Sequence, residues 1–467
     1  MTRRLSATAA ALPLEGYAAR FDDLFARRSQ REGFRRYLEG LLLPAERNKT
    51  ATALANTEPT VGAQHPRAQT LQWFLSESTW DATAVNARRL ALLRADPATA
   101  PDGRGVLAID EHGDRKWGRK TAHVGRQYLA NLGKTDSGVV SVTSLWADAA
   151  VYWPVDYEPY TPKHHFAKGK ADPAFRTKLA IAGELVTAAV ADGLPFRAVV
   201  ADSFYGEDAG FRQTLHELQV GYVLALKPSH TWWHQEGTVG ALWQAAELAG
   251  WRGADAPGAW VAVERRFRDG HAEAWWALEV AAGPYGPTRG RRAVVATTDP
   301  ATLPDHTTWY LATNLPTSDA DLAEVVRLYG LRMWVEQAYK QTKHALGWAQ
   351  YQVRSDQAMR RHWQLVCCAF AFCWRQPSGD AVEAAPARSN DEAPPAADEA
   401  AGRGGNAPPA PPGCWPVALR AVRAWLGPWV LLRRYWRAWS PLPPPLALRA
   451  LLEHLRHGHG LDLYASP

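Results

Sequence analysis

Two short apolar runs without alternation constrain this chain most: Val106 to Ile109 leads into Asp110, and Ala198 to Ala201 leads into Asp202. A strand with no polar alternation is buried on both faces, so it needs a sheet covered on either side. The end of such a strand is where a sheet offers a side chain to a cleft. Two of them side by side would bring two carboxylates together. Carboxylates that close repel unless a cation lies between them. An oxygen donor set of this kind suits Mg²⁺ or Mn²⁺. Acidic residues at strand ends are common, so this pair alone does not specify a chemistry.

The flanking sequence frames these strands as an α/β domain. The runs 138–148 and 150–156 are β-branched and aromatic on either side of a turn near Asp148, and read as paired strands. Residues 174–193 form an amphipathic helix closed by Gly193. A helix near 207–219 and a strand at 222–226 follow, giving a mixed sheet with flanking helices. We divide the rest of the chain by pattern. Residues 1–96 are a helical region in which Arg27, Arg31 and Arg35 share one helix face, a pattern that suits either DNA binding or a solvated face. A short linker at 97–105 leads into the first part of the α/β core, 97–226. Residues 227–316 are a β-rich insertion, and 317–376 are the second part of the core. Residues 377–413, rich in Ala, Pro and Gly, are a disordered linker. Residues 414–467 are a short, basic, Trp- and Arg-rich helical tail.

Bulk properties narrow the class without fixing it. The 467 residues suffice for two or three domains. The net charge of +6, from 53 Lys and Arg against 47 Asp and Glu, permits a polyanionic partner without requiring one. Several of the 22 tryptophans lie beside arginines; such pairs can stack on bases, and single tryptophans also fill cores. The four cysteines form no CxxC pair, so they suggest neither a zinc knuckle nor a disulfide framework. Free, buried thiols fit a reducing compartment. The N-terminus is too broken for a signal-peptide core, and the apolar stretch 365–374 is too short to span a bilayer. A soluble, cytoplasmic protein with no membrane partner is expected.

A long helix is expected from Ser318 onward, with Ser318 and Asp321 as its capping pair. Tyr329, Arg332, Glu336 and Lys343 stand at offsets of 0, 3, 7 and 14. On an ideal helix these fall within an arc of about 60° and spread over about 21 Å. An acid between two cations suits a site that grips both metal and phosphate. A solvated face with i,i+4 ion pairs is the plainer account of the same residues.

These residues resemble a known family. Tyr329-x2-Arg332-x3-Glu336-x6-Lys343 is similar to the tyrosine–arginine–glutamate–lysine signature of DDE insertion-sequence transposases, of insertion-sequence family four and its relatives. The stretches around Asp110, Asp202 and the signature look most like the sister family seven-zero-one. The resemblance covers roughly residues 20–375, and past 377 the chain departs from it. It implies an RNase H-like mixed-sheet core with Asp110, Asp202 and Glu336 as catalytic and metal-binding residues. It implies two Mg²⁺ ions per site, with Mn²⁺ as a substitute, and DNA contacts by Tyr329, Arg332 and Lys343. Trp309, 20 residues before Tyr329, is a candidate to hold a flipped base. The implied activity is cleavage at the ends of an insertion sequence and strand transfer into target DNA. The implied partners are terminal inverted repeats, target DNA and a second copy of the chain, in a bacterial, nucleoid-associated setting. The alternatives are an RNase H-like nuclease without strand transfer and a decayed, DNA-binding derivative. A glycosidase also pairs carboxylates but has no use for the signature face.

Overall fold

The parallel pairing of the two apolar strands organises the structure, a computed structural model that describes residues 13–44, 48–55, 65–234, 238–267, 271–282, 290–375, 414–440 and 442–459. The expected linker at 377–413 lies outside the described residues. Among the described residues, five α-helices come first: α1 (Pro13–Ala19), α2 (Arg28–Leu42), α3 (Ala51–Leu54), α4 (Pro66–Ser76) and α5 (Ala82–Ala95). Then come β1 (Val106–Arg115), β2 (Gly125–Leu129), β3 (Lys134–Ala147), β4 (Tyr152–Tyr160), α6 (Lys178–Ala191), β5 (Ala198–Ala201), α7 (Ser203–Gly206), α8 (Ala209–Glu217) and β6 (Tyr222–Ala225).

The next segment holds β7 (Thr231–Trp233), β8 (Val239–Ala241), α9 (Leu242–Glu247), β9 (Val261–Arg266), β10 (Ala272–Val280), β11 (Arg292–Thr297) and β12 (Thr308–Thr313). The chain closes with α10 (Leu322–Gly330), α11 (Met333–Lys340), α12 (Asp356–Trp374), α13 (Trp415–Trp439) and α14 (Leu446–Arg456).

β1 pairs with β5 in parallel, and β5 with β6 in parallel, while β3 runs antiparallel to β1. All four residues of β5 are buried, as are the first five of β1. Continuous apolar runs are what such doubly covered strands require. The register sets Ile109 beside Ala201, so Asp110 and Asp202 are each the next residue after the pairing stops. β1 does not end at Asp110, as its apolar run suggests; it continues to Arg115 along β3. β3 and β4 are antiparallel, and the Asp148 carboxylate caps the turn between them by accepting from the amides of Ala150 and Val151.

Four strands of the β-rich segment extend this same sheet. β12 pairs with β6, and β11, β10 and β9 follow outward. The ten-stranded sheet is therefore continuous from β2 to β9, and among the described residues β7 and β8 form a separate pair. β9 carries Glu264, Arg265 and Arg266, charges that discourage pairing with another chain at this free edge.

Helix α12 is the spindle of the helical layer. Nearly all of its side chains from Ala358 to Trp374 are buried, because α2, α4, α5, α13 and β4 surround it. A helix apolar on every side is stable only when enclosed in this way. Among the described residues no helix is long and apolar enough to cross a membrane. Cys367, Cys368 and Cys373 are free thiols inside α12, and burial pushes their pKa values up. Arg361 donates to the carbonyls of Leu75 and Trp80, and Tyr17 to that of Cys368, tying the N-terminal helices to α12. The basic face expected on α2 is partly neutralised: Arg35 is bound by Glu15 and Asp22.

His362 of α12 joins three segments. Its Nε2 lies 3.0 Å from the Gly347 carbonyl, which can only accept, so the proton sits there; Nδ1 then accepts from the Tyr37 hydroxyl at 2.8 Å. Burial lowers the His362 pKa to about 4. The unfolded imidazole titrates near 6.5, so this contribution to stability is complete above that value and is lost as pH falls toward 4. His362→Gln should flatten the fall in melting temperature between these pH values by the equivalent of about 1–3 kcal/mol. Thermal melts across this range check it; an unchanged slope would show that His362 is not the group responsible.

Candidate active site

The site lies where the β1–β5 pairing ends. The Asp110 Oδ1 accepts from the amide of Glu111 at 2.7 Å. Asp202 begins α7 as its N-cap, with Oδ1 accepting from the Phe204 amide at 3.0 Å. That fixes one oxygen of each carboxylate and leaves the other aimed at a common neighbour, Arg332. Arg332 Nη2 lies 2.8 Å from Asp110 Oδ2 and 4.0 Å from Asp202 Oδ2, and Nη1 lies 3.5 Å from Glu336 Oε1. Residues more than 200 positions apart in sequence thus meet at one guanidinium.

The helix that supplies Arg332 and Glu336 is not the single straight rod its periodicity predicts. It breaks at Leu331–Arg332 between α10 and α11, and α11 passes into one π-helical turn, Gln341–Ala345. The ideal 60° arc therefore does not describe it. π-turns shift the phase of the residues beyond them and recur at functional sites. The N-cap of α10 is Asp321, which accepts from the Glu324 amide; Ser318 bonds Asp319 instead.

Lys343 lies inside this π-turn and pairs with a different acid from the three at Arg332. Its ammonium sits 3.0 Å from the carboxylate of Asp114 on β1 and 3.2 Å from the Gly113 carbonyl. Tyr329 is buried beside the site, and its ring meets Trp309 edge-on at 5.0 Å. Trp309 packs on Trp275 at 4.2 Å, and the Arg265 guanidinium lies 5.0 Å from its ring. The candidate base-holding tryptophan is thus half-buried in an aromatic cluster that touches the signature tyrosine.

The charges explain the arrangement. Burial pushes the Asp110 carboxyl up to about 7; Arg332 pulls against this and the nearby Asp202 adds to it. Burial likewise opposes the charge of Arg332, yet Asp110 first, then Tyr329, Asp202 and Glu336, hold its pKa above the ordinary guanidinium value. Tyr329 is pushed up to about 12, mainly by burial, and so remains a neutral hydroxyl donor. Three acids facing one cation leave an excess of negative charge. Together with an all-oxygen donor set, that excess fits a divalent cation. Among the described residues, no three acidic, histidine or cysteine side chains form a ready-made cage. Glu336, with its side chain 70% exposed, is the one with room to turn inward.

Several residues of the neighbourhood carry no signature in the sequence. Tyr339 hydrogen-bonds Thr143, which pairs with Asp110 across β1 and β3, and its ring rests on His112 at 4.4 Å. Asp114 is visible only as one more charge in the run Asp110 to Lys116. Just past the end of β1, Trp117 is exposed, with the Arg115 guanidinium 3.8 Å from its ring centre.

Two expected outcomes follow from these contacts. A Cβ on Gly206 would lie 1.8 Å from the Ala225 carbonyl oxygen, so Gly206→Ala must push α7 off β6 and move Asp202. We expect a stability loss of about 1–3 kcal/mol in denaturant titrations, with Asp202 displaced in a crystal structure. A fully stable variant with Asp202 in place would refute the contact. Lys343→Ala leaves Asp114, only 4% exposed, as a buried carboxylate without a cation, its remaining neighbour being the imidazole of His112 at 3.1 Å, which burial keeps neutral. Its cost should be about 3–5 kcal/mol, largely restored by adding Asp114→Asn; equal instability of the double variant would exclude the pair as the cause.

Residues 20–276, more than half of the chain, match the family described as DDE superfamily endonuclease. That range includes Asp110 and Asp202 and stops before Glu336. The chain is also 35% identical to a protein of Microchaete diplosiphon described as a probable transposase for insertion sequence element IS701, over 286 residues that make up 61% of this chain and 68% of the relative. With strands that set two acids side by side and a helix that brings a third to the same guanidinium, the chain belongs to the DDE endonucleases and, within them, to the insertion-sequence transposases related to IS701.

Proposed function

We propose that the chain cuts DNA at the ends of an insertion sequence in a Mg²⁺-dependent reaction and joins the freed ends to target DNA, using Asp110, Asp202 and Glu336 as its catalytic residues. The observation that carries this reading is the contact of Arg332 with all three acids. Membership of the DDE endonuclease family and likeness to a probable transposase support it.

Asp110, Asp202 and Glu336 would hold the cations, Mg²⁺ or Mn²⁺, two per site. The chemistry supplied by divalent ions in such a site is activation of water or a 3′-hydroxyl as nucleophile and neutralisation of the leaving oxygen. The protein's part is placement and charge. Asp110 is rigid, held by the Glu111 amide on a buried strand, and Asp202 is fixed by its cap on α7. Arg332 satisfies the carboxylates before DNA arrives; once their charge is otherwise balanced, its fork is free to hold a non-bridging phosphate oxygen. Tyr329, kept neutral, is suited to donate to a phosphate next to the cut. Trp309, whose ring meets that of Tyr329, would stack on a base turned out of the helix. Lys343 can take a phosphate only by leaving Asp114, so its contribution to DNA binding is smaller than its charge suggests. Helices of the 1–96 region would recognise the terminal repeats, and joining two ends calls for two active sites, hence a dimer on DNA.

Asp110→Ala, Asp202→Ala and Glu336→Ala should each reduce Mg²⁺-dependent cleavage of element-end DNA by a factor of about 10³ or more while duplex binding persists. A strand-transfer assay with a pre-cleaved end separates a transposase from a nuclease on the same fold. Wild-type cleavage by any one of the three variants would falsify the site.

A further inference from the structure

The C-terminal segment lies beyond the matched family range, and its described part is docked on the body rather than standing apart. The first half of α13 is held tightly. Trp415 stacks on Phe370 at 4.7 Å and donates to its carbonyl, and Leu419, Val422, Trp425, Leu426 and Val430 are buried. Arg423 donates to the carbonyls of Leu42 and of Ala345, the last residue of the π-turn. This docking fixes the direction in which the second half of the helix leaves the body.

The second half carries its charges toward two N-terminal helices. Arg433, Arg434 and Arg437 line a groove with Arg36 of α2 and Arg67 of α4. Among the described residues, five guanidinium groups from three helices share this groove with one carboxylate, that of Glu39. Arg433 uses it, at 2.8 Å, and is further fixed over the Trp429 ring at 3.8 Å. Arg36 lies 3.8 Å from Glu32 on the solvent side. Among the described residues, Arg67, Arg434 and Arg437 have no carboxylate in ion-pair contact. Leu71 and Val430 give the groove an apolar floor, which strengthens charge interactions above it. Burial depresses the pKa of Arg434, and the charges of Arg67 and Arg433 add to that depression against the pull of Glu39.

So many like charges held together by a packed helix are costly unless a polyanion spreads its own charges along them. We propose that this groove between α2, α4 and α13 binds the sugar-phosphate backbone of duplex DNA, so that the C-terminal segment completes a DNA surface the N-terminal helices only begin. The choice of DNA rests on the functional reading above; the surface itself rests on the arginines. Without α13 only Arg36 and Arg67 remain, and the groove has no second wall. Contacts of this kind position a duplex without reading its sequence.

The test uses the full chain and a duplex of arbitrary sequence, about 30 base pairs long, with fluorescence anisotropy followed across about 50–200 mM salt. Arg434→Gln with Arg437→Gln should weaken binding on the order of tenfold or more and reduce the slope of log affinity against log salt by about 2. Arg67→Gln, exposed and on a different helix, should reduce the slope by about 1 and guards against a folding defect in α13. Unchanged affinity and slope in both variants, with wild type bound, overturn the proposal and leave the functional reading standing. Lost binding in the variants from a chain that cuts no element end upholds the groove and counts against the function. Absence of duplex binding by wild type defeats both.

Discussion

One guanidinium holds the site together. Arg332 is mostly buried at a place where burial opposes its charge, and it stays there because Asp110, Asp202 and Glu336 surround it. A buried ion cluster of this kind is weak as a source of stability, since desolvation consumes most of the Coulomb gain. Its value is positional. It draws α10 and α11 onto the end of the β1–β5 pair and fixes which helix face meets the sheet. The excess negative charge around Arg332 is what makes the place receptive to divalent cations, while burial first, and then the neighbouring Asp202, drives Asp110 toward protonation against the pull of Arg332.

The remainder of the fold serves that contact. β5 and β1 are buried on both faces, so their register cannot slip by one residue without turning apolar side chains to the wrong layer. A slip would also separate Asp110 from Asp202. β12 to β9 lengthen the sheet beyond β6 and bring Trp309, Trp275 and Arg265 against Tyr329. α12, enclosed on every side, joins the N-terminal helices to the core through Arg361, His362 and Tyr157, whose hydroxyl donates to the Arg360 carbonyl. The C-terminal helix α13 then closes over α2 and the end of the π-turn. The basic groove at its far end is a product of this docking and belongs to no single element.

Much of the site was legible in the residues. The apolar runs before Asp110 and Asp202 marked the two central strands, since only a doubly covered strand tolerates such a run. The turn at Asp148 and the glycine stop at Gly193 were equally plain, because local chemistry sets both. Less legible was the signature helix. Its periodicity implies one rod, but the break at Leu331–Arg332 and the π-turn at Gln341–Ala345 re-aim Lys343 toward Asp114. The break follows Gly330, a residue that weakens a helix, but a single glycine does not by itself announce a break, and the π-turn has no proline or glycine within it. Arg35 misled in the same way, its charge spent on Glu15 and Asp22 rather than offered to a partner.

The sequence by itself determined which strands are central, where acids follow them, and that a helix with Tyr329, Arg332 and Glu336 accompanies them. It determined this because burial and backbone pairing act on neighbours in the chain. Tertiary structure alone decided that Arg332 touches all three acids, that Lys343 is committed to Asp114, and that the C-terminal arginines face Arg36 and Arg67. Those outcomes depend on side chains hundreds of residues apart. Charge interactions have no periodicity to be read along a chain, and only the packed fold sets the distances on which they act.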